Sequence, residues 1–427
     1  MTSRLPPEIY HLFIDELANS PQLLKSFSFV SHVWLSRCRT HLFRHFSLHY
    51  MPSAVHDAVE EYSECWYPAN SFPADDPDAA VTGSEGDCSL KSLMKVQQIR
   101  QSIRELSLIE GNTVDCNRYM KLDFGICLSE LATNIQFPNL RALAVSFNGP
   151  GPRQDCLGVT AVGKLMRIHS KLERLCISSL YLDTHCLRNL LYSMRVCAQL
   201  SNIQLECITC AADTESWISR YSSLTFEENT AALVQWSRTP IQRLSLSNVD
   251  HNLVEVLFSP TKPTRFQIEL KSLAINCSDL DSDHETMAGS VGFRLIDRHA
   301  SSLQHLSLKH PKATNHAFYE PLLGTTLPFL SIIEIHFTNV HDGRFRYALE
   351  NLCFLRSPIS ELRIGLKYGP RTAFAPSVDR SLVNFSRSLQ SLRRVKFKVI
   401  HMIDKFSCEH LPKANLHLQL EIVQIGV

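Results

Sequence analysis

One spacing recurs ten times in this chain and restricts its fold more than any other feature. From about residue 90, a helical apolar stretch, a short break and an L-x-x-L-x-L run follow one another repeatedly. The copies begin with Ile103-Leu106-Leu108, Leu140-Leu143-Val145, Leu172-Leu175-Ile177 and Leu200-Ile203-Leu205. They continue with Ile241-Leu244-Leu246, Leu270-Leu273-Ile275, Leu303-Leu306-Leu308, Leu330-Ile333-Ile335, Ile359-Leu362-Ile364 and Leu392-Val395-Phe397, at intervals of 27 to 41 residues. A period of that length means stacked units, each too small to bury its own apolar side and each covered by the next. Between the strand-like copies, Leu187, Leu190, Leu191 and Met194 fall at helical spacing, as do Val378, Leu382 and Phe385 and the pairs Leu253/Val254 and Leu257/Phe258. The expected unit is a strand plus a crossover helix. Stacking such units gives an α/β fold, a parallel sheet with helices outside.

The pattern resembles long, helix-bearing leucine-rich repeats, in degenerate form. The Asn or Cys expected after the strand is present at Asn148, but Leu180, Ile208, Val249 and Thr338 occupy that slot elsewhere. A continuous asparagine ladder is therefore not expected. The longest interval leaves room for an extra loop at about Cys210 to Phe226. The alternation Leu416-His417-Leu418-Gln419-Leu420-Glu421-Ile422 predicts a closing strand. In such a solenoid the leucines point inward, and the third and fifth positions of each copy point to the concave face. That face reads small and polar early (Ala142, Ala144) and charged late, ending with Arg394 and Lys396, to which Arg393 and Lys398 add. The candidate target contacts are Arg174, Arg243, His305, Arg363, Arg394 and Lys396, because the planar arginine fork suits carboxylate or phosphate. Plain solubility of a polar face explains the same residues.

The first 45 residues read differently. Pro6-Pro7 sets a rigid start, with Glu8 where a helix N-terminus favours negative charge. Ile9, Leu12, Phe13, Ile14 and Leu17 form a broad apolar stripe. Asn19-Ser20-Pro21 separates this helix from a second, which carries Leu23, Leu24, Phe27 and Val30. Ser31 is the expected N-cap of a third helix holding Trp34, Leu35 and Cys38. Three helices in so short a stretch bury little core, so part of this apolar surface is expected to meet a partner. The joint pattern, Leu-Pro-Pro-Glu-Ile through Val-Ser-His-Val-Trp-Leu, resembles an F-box, and Arg39-Thr40-His41-Leu42-Phe43 resembles the tail that precedes the first strand in fungal F-box proteins. The resemblance implies that Leu5, Pro6, Ile9, Phe13, Ile14, Leu24, Val30, Ser31 and Trp34 face a Skp adaptor. The segment Ala18 to Gln22 departs from the pattern by lacking the usual acidic residue before the second helix.

Residues 46–89 are expected to be a loosely ordered linker between residues 1–45 and the repeats at 90–427. Positions 45 to 90 hold no Lys or Arg but nine Asp or Glu. The formal net charge of +1 gives no global argument for nucleic acid, and no apolar run is long enough for a membrane span. The 14 cysteines sit mostly in apolar stretches and read as reduced, buried thiols, which suits a cytoplasmic or nuclear location. No nucleotide-binding, zinc-protease or hydrolase motif occurs. Cys207-Ile208-Thr209-Cys210 lacks a second ligand pair and His284-Glu285 a second histidine, so no metal, cofactor or catalytic residue is expected. F-box followed by leucine-rich repeats implies the substrate-recognition subunit of a Skp–cullin–F-box ubiquitin ligase, binding an unknown target protein. Two alternatives stay open: a repeat scaffold with no ligase attached, and a nucleic-acid binder using the basic end of the face.

Overall fold

The computed structural model describes residues 7–18, 20–50, 66–68, 96–110, 121–147, 155–210, 240–250, 253–254, 268–276, 295–309, 325–337, 344–368, 375–401 and 407–424. Two compact units divide the chain: Met1–Ser201 with Ile208–Thr239, and Asn202–Cys207 with Pro240–Val427.

The first unit opens with helices α1 (Pro7–Glu16), α2 (Pro21–Ser28) and α3 (His32–Leu42). Proline starts the second, where its missing N–H costs nothing. Ser31 caps the third as its position implies, its Oγ accepting from Trp34 N at 3.3 Å. Strand β1 (His45–Tyr50) then pairs in parallel with β3 (Glu105–Glu110), and short β2 (Trp66–Pro68) pairs antiparallel with β1. The sheet continues in parallel through β4 (Ala142–Ser146) and β5 (Arg174–Leu182). Helices α4 (Gln97–Ser102), α5 (Lys121–Asn134), α6 (Asp155–Ile168) and α7 (Thr184–Val196) join the strands. Asp183 caps α7 by accepting from Cys186 N at 2.7 Å.

The second unit begins with the first six residues of β6 (Asn202–Cys210). It runs on through β7 (Ile241–Val249), β8 (Ile268–Asn276), β9 (His305–Lys309), β10 (Ile332–Phe337), β11 (Glu361–Tyr368), β12 (Arg394–His401) and β13 (Gln419–Gln424). From β7 to β13 every neighbouring pair is parallel. Helices α8 (Arg344–Leu352), α9 (Ala375–Ser388) and α10 (Pro412–His417) lie in this unit. The repeat leucines do what the pattern requires: Leu306, Ile333, Ile335, Leu362, Ile364, Val395 and Phe397 are fully buried. Each such side chain contributes on the order of 1.5–3 kcal/mol of transfer free energy. Val378, Leu382 and Phe385 supply the buried stripe of α9.

Three expectations change. The closing strand starts at Gln419 rather than Leu416, because α10 takes Leu416 and His417. That helix is held by Asp379, which is buried and accepts from Lys413 N at 3.3 Å and Ala414 N at 2.7 Å. The segment assigned to the linker contributes β1 and β2 to the sheet, and its remaining residues lie outside those described. The slot after the strand is a buried apolar position at Leu180, Ile208 and Val249. The residue just before it is left-handed in all three cases, with φ of 58° at Ser179, 52° at Cys207 and 50° at Asn248. Non-glycine residues adopt that conformation only when the surroundings enforce it. Leu253 and Val254 are buried, while Asn148, Leu257, Phe258, Thr338 and the proposed loop after Cys210 lie outside the described residues.

Candidate docking surfaces

The three-helix module has a very small core. Ile14, Leu24 and Cys38 are buried, and Leu17, Phe27, Trp34 and Leu42 pack partly against them. Four aromatic rings extend that core outward. Phe13 meets Phe27 edge-on at 5.5 Å, and Trp34 lies 5.2 Å from Phe27 and 5.6 Å from Tyr10. On the other side Asp15 ties α1 to α3. It accepts from Arg37 Nε at 2.7 Å, and His41 Nε2 lies 2.8 Å away. The Arg37 hydrogen bond is the main reason its carboxyl falls to about 2, with burial opposing and His41 assisting. The helices are therefore fixed to one another, yet a set of large apolar side chains still faces out. Phe29 is 88% exposed, Leu12 67% and Val30 62%, with Ile9, Phe13 and Leu23 roughly half exposed.

The residues that the F-box resemblance singles out fall into three groups. Ile9, Phe13, Val30 and Ser31 are on the surface, and Trp34 is half-buried beside them. Ile14 and Leu24 are inside, where they hold the helices together, so no partner reaches them while the module is folded. Leu5 and Pro6 lie outside the described residues. Phe29 was missed, although the doublet Phe29-Val30 just before a helix cap was a readable signal of apolar surface.

The second candidate surface is the polar face of the second unit, opposite the buried leucines. In-register parallel pairing arranges its side chains in lines across the strands. One line holds Glu334, Arg363, Lys396 and Glu421. A second holds His305, Ile332, Glu361 and Arg394, and a third Lys309, His336, Gly365 and Lys398. Glu334 is the hub, and only 7% of it is exposed. Lys398 Nζ donates to its Oε1 at 2.7 Å. His336 Nε2 lies 3.3 Å from the same oxygen, and His305 Nε2 lies 3.4 Å from Oε2. Lys398 is two strands away from Glu334. It reaches across Gly365, where any side chain would run into the His336 ring. Burial works to raise the Glu334 pKa, but the two imidazoles and the Lys398 ammonium outweigh it. The carboxyl is held far below the ordinary range.

The six proposed target contacts are not equivalent. Arg174, in the first unit, lies 3.3 Å from Glu105 and is paired across β4. His305 faces Glu334, Arg363 Nε donates to Glu361 at 2.7 Å, and Lys396 Nζ donates to Glu421 at 2.7 Å. Arg243 and Arg394 are exposed, and neither makes an ion pair among the described residues. The sequence reading missed His336 and Gly365 because, apart from Lys398, it took two outward positions per strand. The strands carry a third, and the signal was the ordinary alternation continued by two residues.

Cys38, Cys197, Cys207, Cys353 and Cys408 are thiols outside any disulfide, and burial pushes Cys197 up to about 12. Among the described residues no cluster of His, Cys, Asp and Glu is arranged to hold a metal ion. No helix among them is long and apolar enough to cross a membrane. The fold thus defines an α/β repeat protein with a helical N-terminal module. No family model matches the sequence, and neither does any curated protein. The crystal structure of the Rad7 and Elc1 complex in yeast is a distant structural neighbour. It aligns over 97% of this chain and 92% of that one, with 14% identity and a TM-score of 0.35. So remote a likeness gives this chain neither a family nor a partner.

Proposed function

We propose that the protein is a non-catalytic substrate receptor of a Skp–cullin–F-box ubiquitin ligase in the cytoplasm or nucleus. The helical module docks the Skp adaptor and the repeats hold a target protein. One observation carries this reading. A module whose own core is three residues displays Ile9, Leu12, Phe13, Leu23, Phe29 and Val30 to solvent. Exposed apolar groups concentrated in this way mark an interaction site, and their burial supplies the driving force of association. The charged face of the second unit suits recognition, and target modification then follows from proximity to the rest of the ligase.

The test is co-purification of the full chain with the Skp adaptor and, in parallel, with Elc1, the protein named with Rad7 in the neighbouring structure. A Phe29→Ser/Val30→Ser variant serves as the control, because both side chains are exposed and the fold does not depend on them. A stable Skp complex that the variant loses is the expected result. Failure of the folded, unsubstituted chain to retain Skp sinks the reading, and capture by Elc1 alone replaces the adaptor.

A further inference from the structure

We propose that strand β12 and its neighbours take an extended acidic segment of a target protein, one with carboxylates at alternate residues. The inference deepens the receptor reading and rests on it. Arg394, Lys396 and Lys398 occupy alternate positions on one strand, and their neighbours Val395, Phe397 and Val399 are buried. Alternate residues of an extended chain recur about every 7 Å. An extended ligand lying along β12 repeats at the same distance, so its carboxylates meet the three cations in register.

The structure already contains the proposed interaction. Lys396 holds the Glu421 carboxylate at 2.7 Å, and Lys398 holds Glu334 at 2.7 Å. Arg394 is the exposed member of the row, and its guanidinium makes no hydrogen bond or ion pair among the described residues. Its planar fork donates two parallel N–H bonds to the oxygens of a carboxylate. Lys309 on β9 and Arg243 on β7 are likewise exposed and unpaired among the described residues. On the outward positions of β9 to β13, the acids Glu334, Glu361 and Glu421 are each engaged with cations of the same face. A positive excess therefore remains, in a chain whose formal net charge is only +1. Charge complementarity selects an acidic occupant. Tyr368, the exposed aromatic at the end of β11, is already stacked on His401 with centroids 5.5 Å apart and has Lys367 Nζ 5.6 Å from its ring, so it does not stand open to a nucleic-acid base.

The experiment measures fluorescence anisotropy of labelled peptides with the full chain. One peptide carries Glu at three alternate positions in a Thr background, and a second carries Gln at the same positions. A phosphoserine peptide and a single-stranded DNA oligomer of equal charge complete the set. The Glu peptide is expected to bind and the Gln peptide not. Arg394→Glu is expected to weaken binding about tenfold, the usual effect of reversing a charge at a complementary contact. Glu421→Gln frees Lys396 and is expected to tighten binding a few-fold, a gain that a misfolded chain cannot produce. Equal binding of the Gln peptide, indifference to Arg394→Glu, or tighter binding of the phosphopeptide or the DNA overturns the proposal. Adaptor co-purification with Arg394→Glu is read separately, so failure here and failure of the receptor reading are distinct results.

Discussion

The helical module and the second unit solve opposite problems. Among its described residues the module buries Ile14, Leu24 and Cys38, packs Leu17, Phe27, Trp34 and Leu42 partly against them, and leaves Ile9, Leu12, Phe13, Leu23, Phe29 and Val30 on its surface. The second unit buries line after line of Leu, Ile, Val and Phe between its sheet and helices and leaves charge outside. The difference follows from stacking. Each strand of the repeat finds a neighbour with the same inward pattern, so its apolar side is covered within the chain. A three-helix segment has no such neighbour, and what it cannot cover is available to another protein. The polar groups differ in the same way. Asp15 in the module serves a structural tie, bonded to Arg37 and His41 between α1 and α3. Glu334, Glu361 and Glu421 are spread across a face whose cations outnumber them, so that face keeps charge to offer.

The sharpest way to break this comparison is to empty the repeat core. Phe397→Ala removes a fully buried ring from β12 and is expected to cost about 3–5 kcal/mol, read as a lowered urea midpoint. A loss below 1 kcal/mol would mean that the second unit is as loosely filled as the module.

Acid provides the next largest effect. His169 in the first unit and His299 in the second are buried, and burial lowers each imidazole to about 4, with Arg298 assisting at His299. The unfolded chain takes up these protons first, at about pH 6.5. Their contribution is complete above that pH and is lost as pH falls from 6.5 toward 4, by up to about 3 kcal/mol each. Asp15 and Glu334, whose carboxyls are lowered, add a further loss only below the ordinary carboxylate range. Urea midpoints at pH 7, 5.5 and 4.5 should fall steadily, and a His169→Leu/His299→Leu double variant should flatten the slope. A flat profile in the unsubstituted chain would contradict the buried, neutral rings.

The smallest effect sharpens the comparison from the other side. Phe29→Ser is expected to change stability by no more than about 0.5 kcal/mol, because the ring is almost entirely exposed. The same substitution should raise solubility and weaken adaptor capture. A large destabilisation would show that Phe29 belongs to the fold rather than to an interface.

Much of this molecule is written in short-range pattern. The ten L-x-x-L-x-L copies, the N-cap at Ser31, the proline start of α2 and the stripe of α9 are all legible, because each depends on neighbours within a few positions. The sequence also placed Arg394, Lys396 and Lys398 on one side of one strand. It did not say that Ile14 and Leu24 turn inward while Phe29 turns out, since all three read as apolar and only the helix packing separates them. It did not say that Arg174, Arg363 and Lys396 are engaged while Arg394 is exposed and makes no ion pair among the described residues, nor that Lys398 crosses Gly365 to reach Glu334. Those pairings join residues 25 to 69 positions apart, except Arg363 with Glu361. Alternation fixes which side of a strand a residue occupies, whereas strand order and register fix what it meets there, and these exist only once the units have stacked.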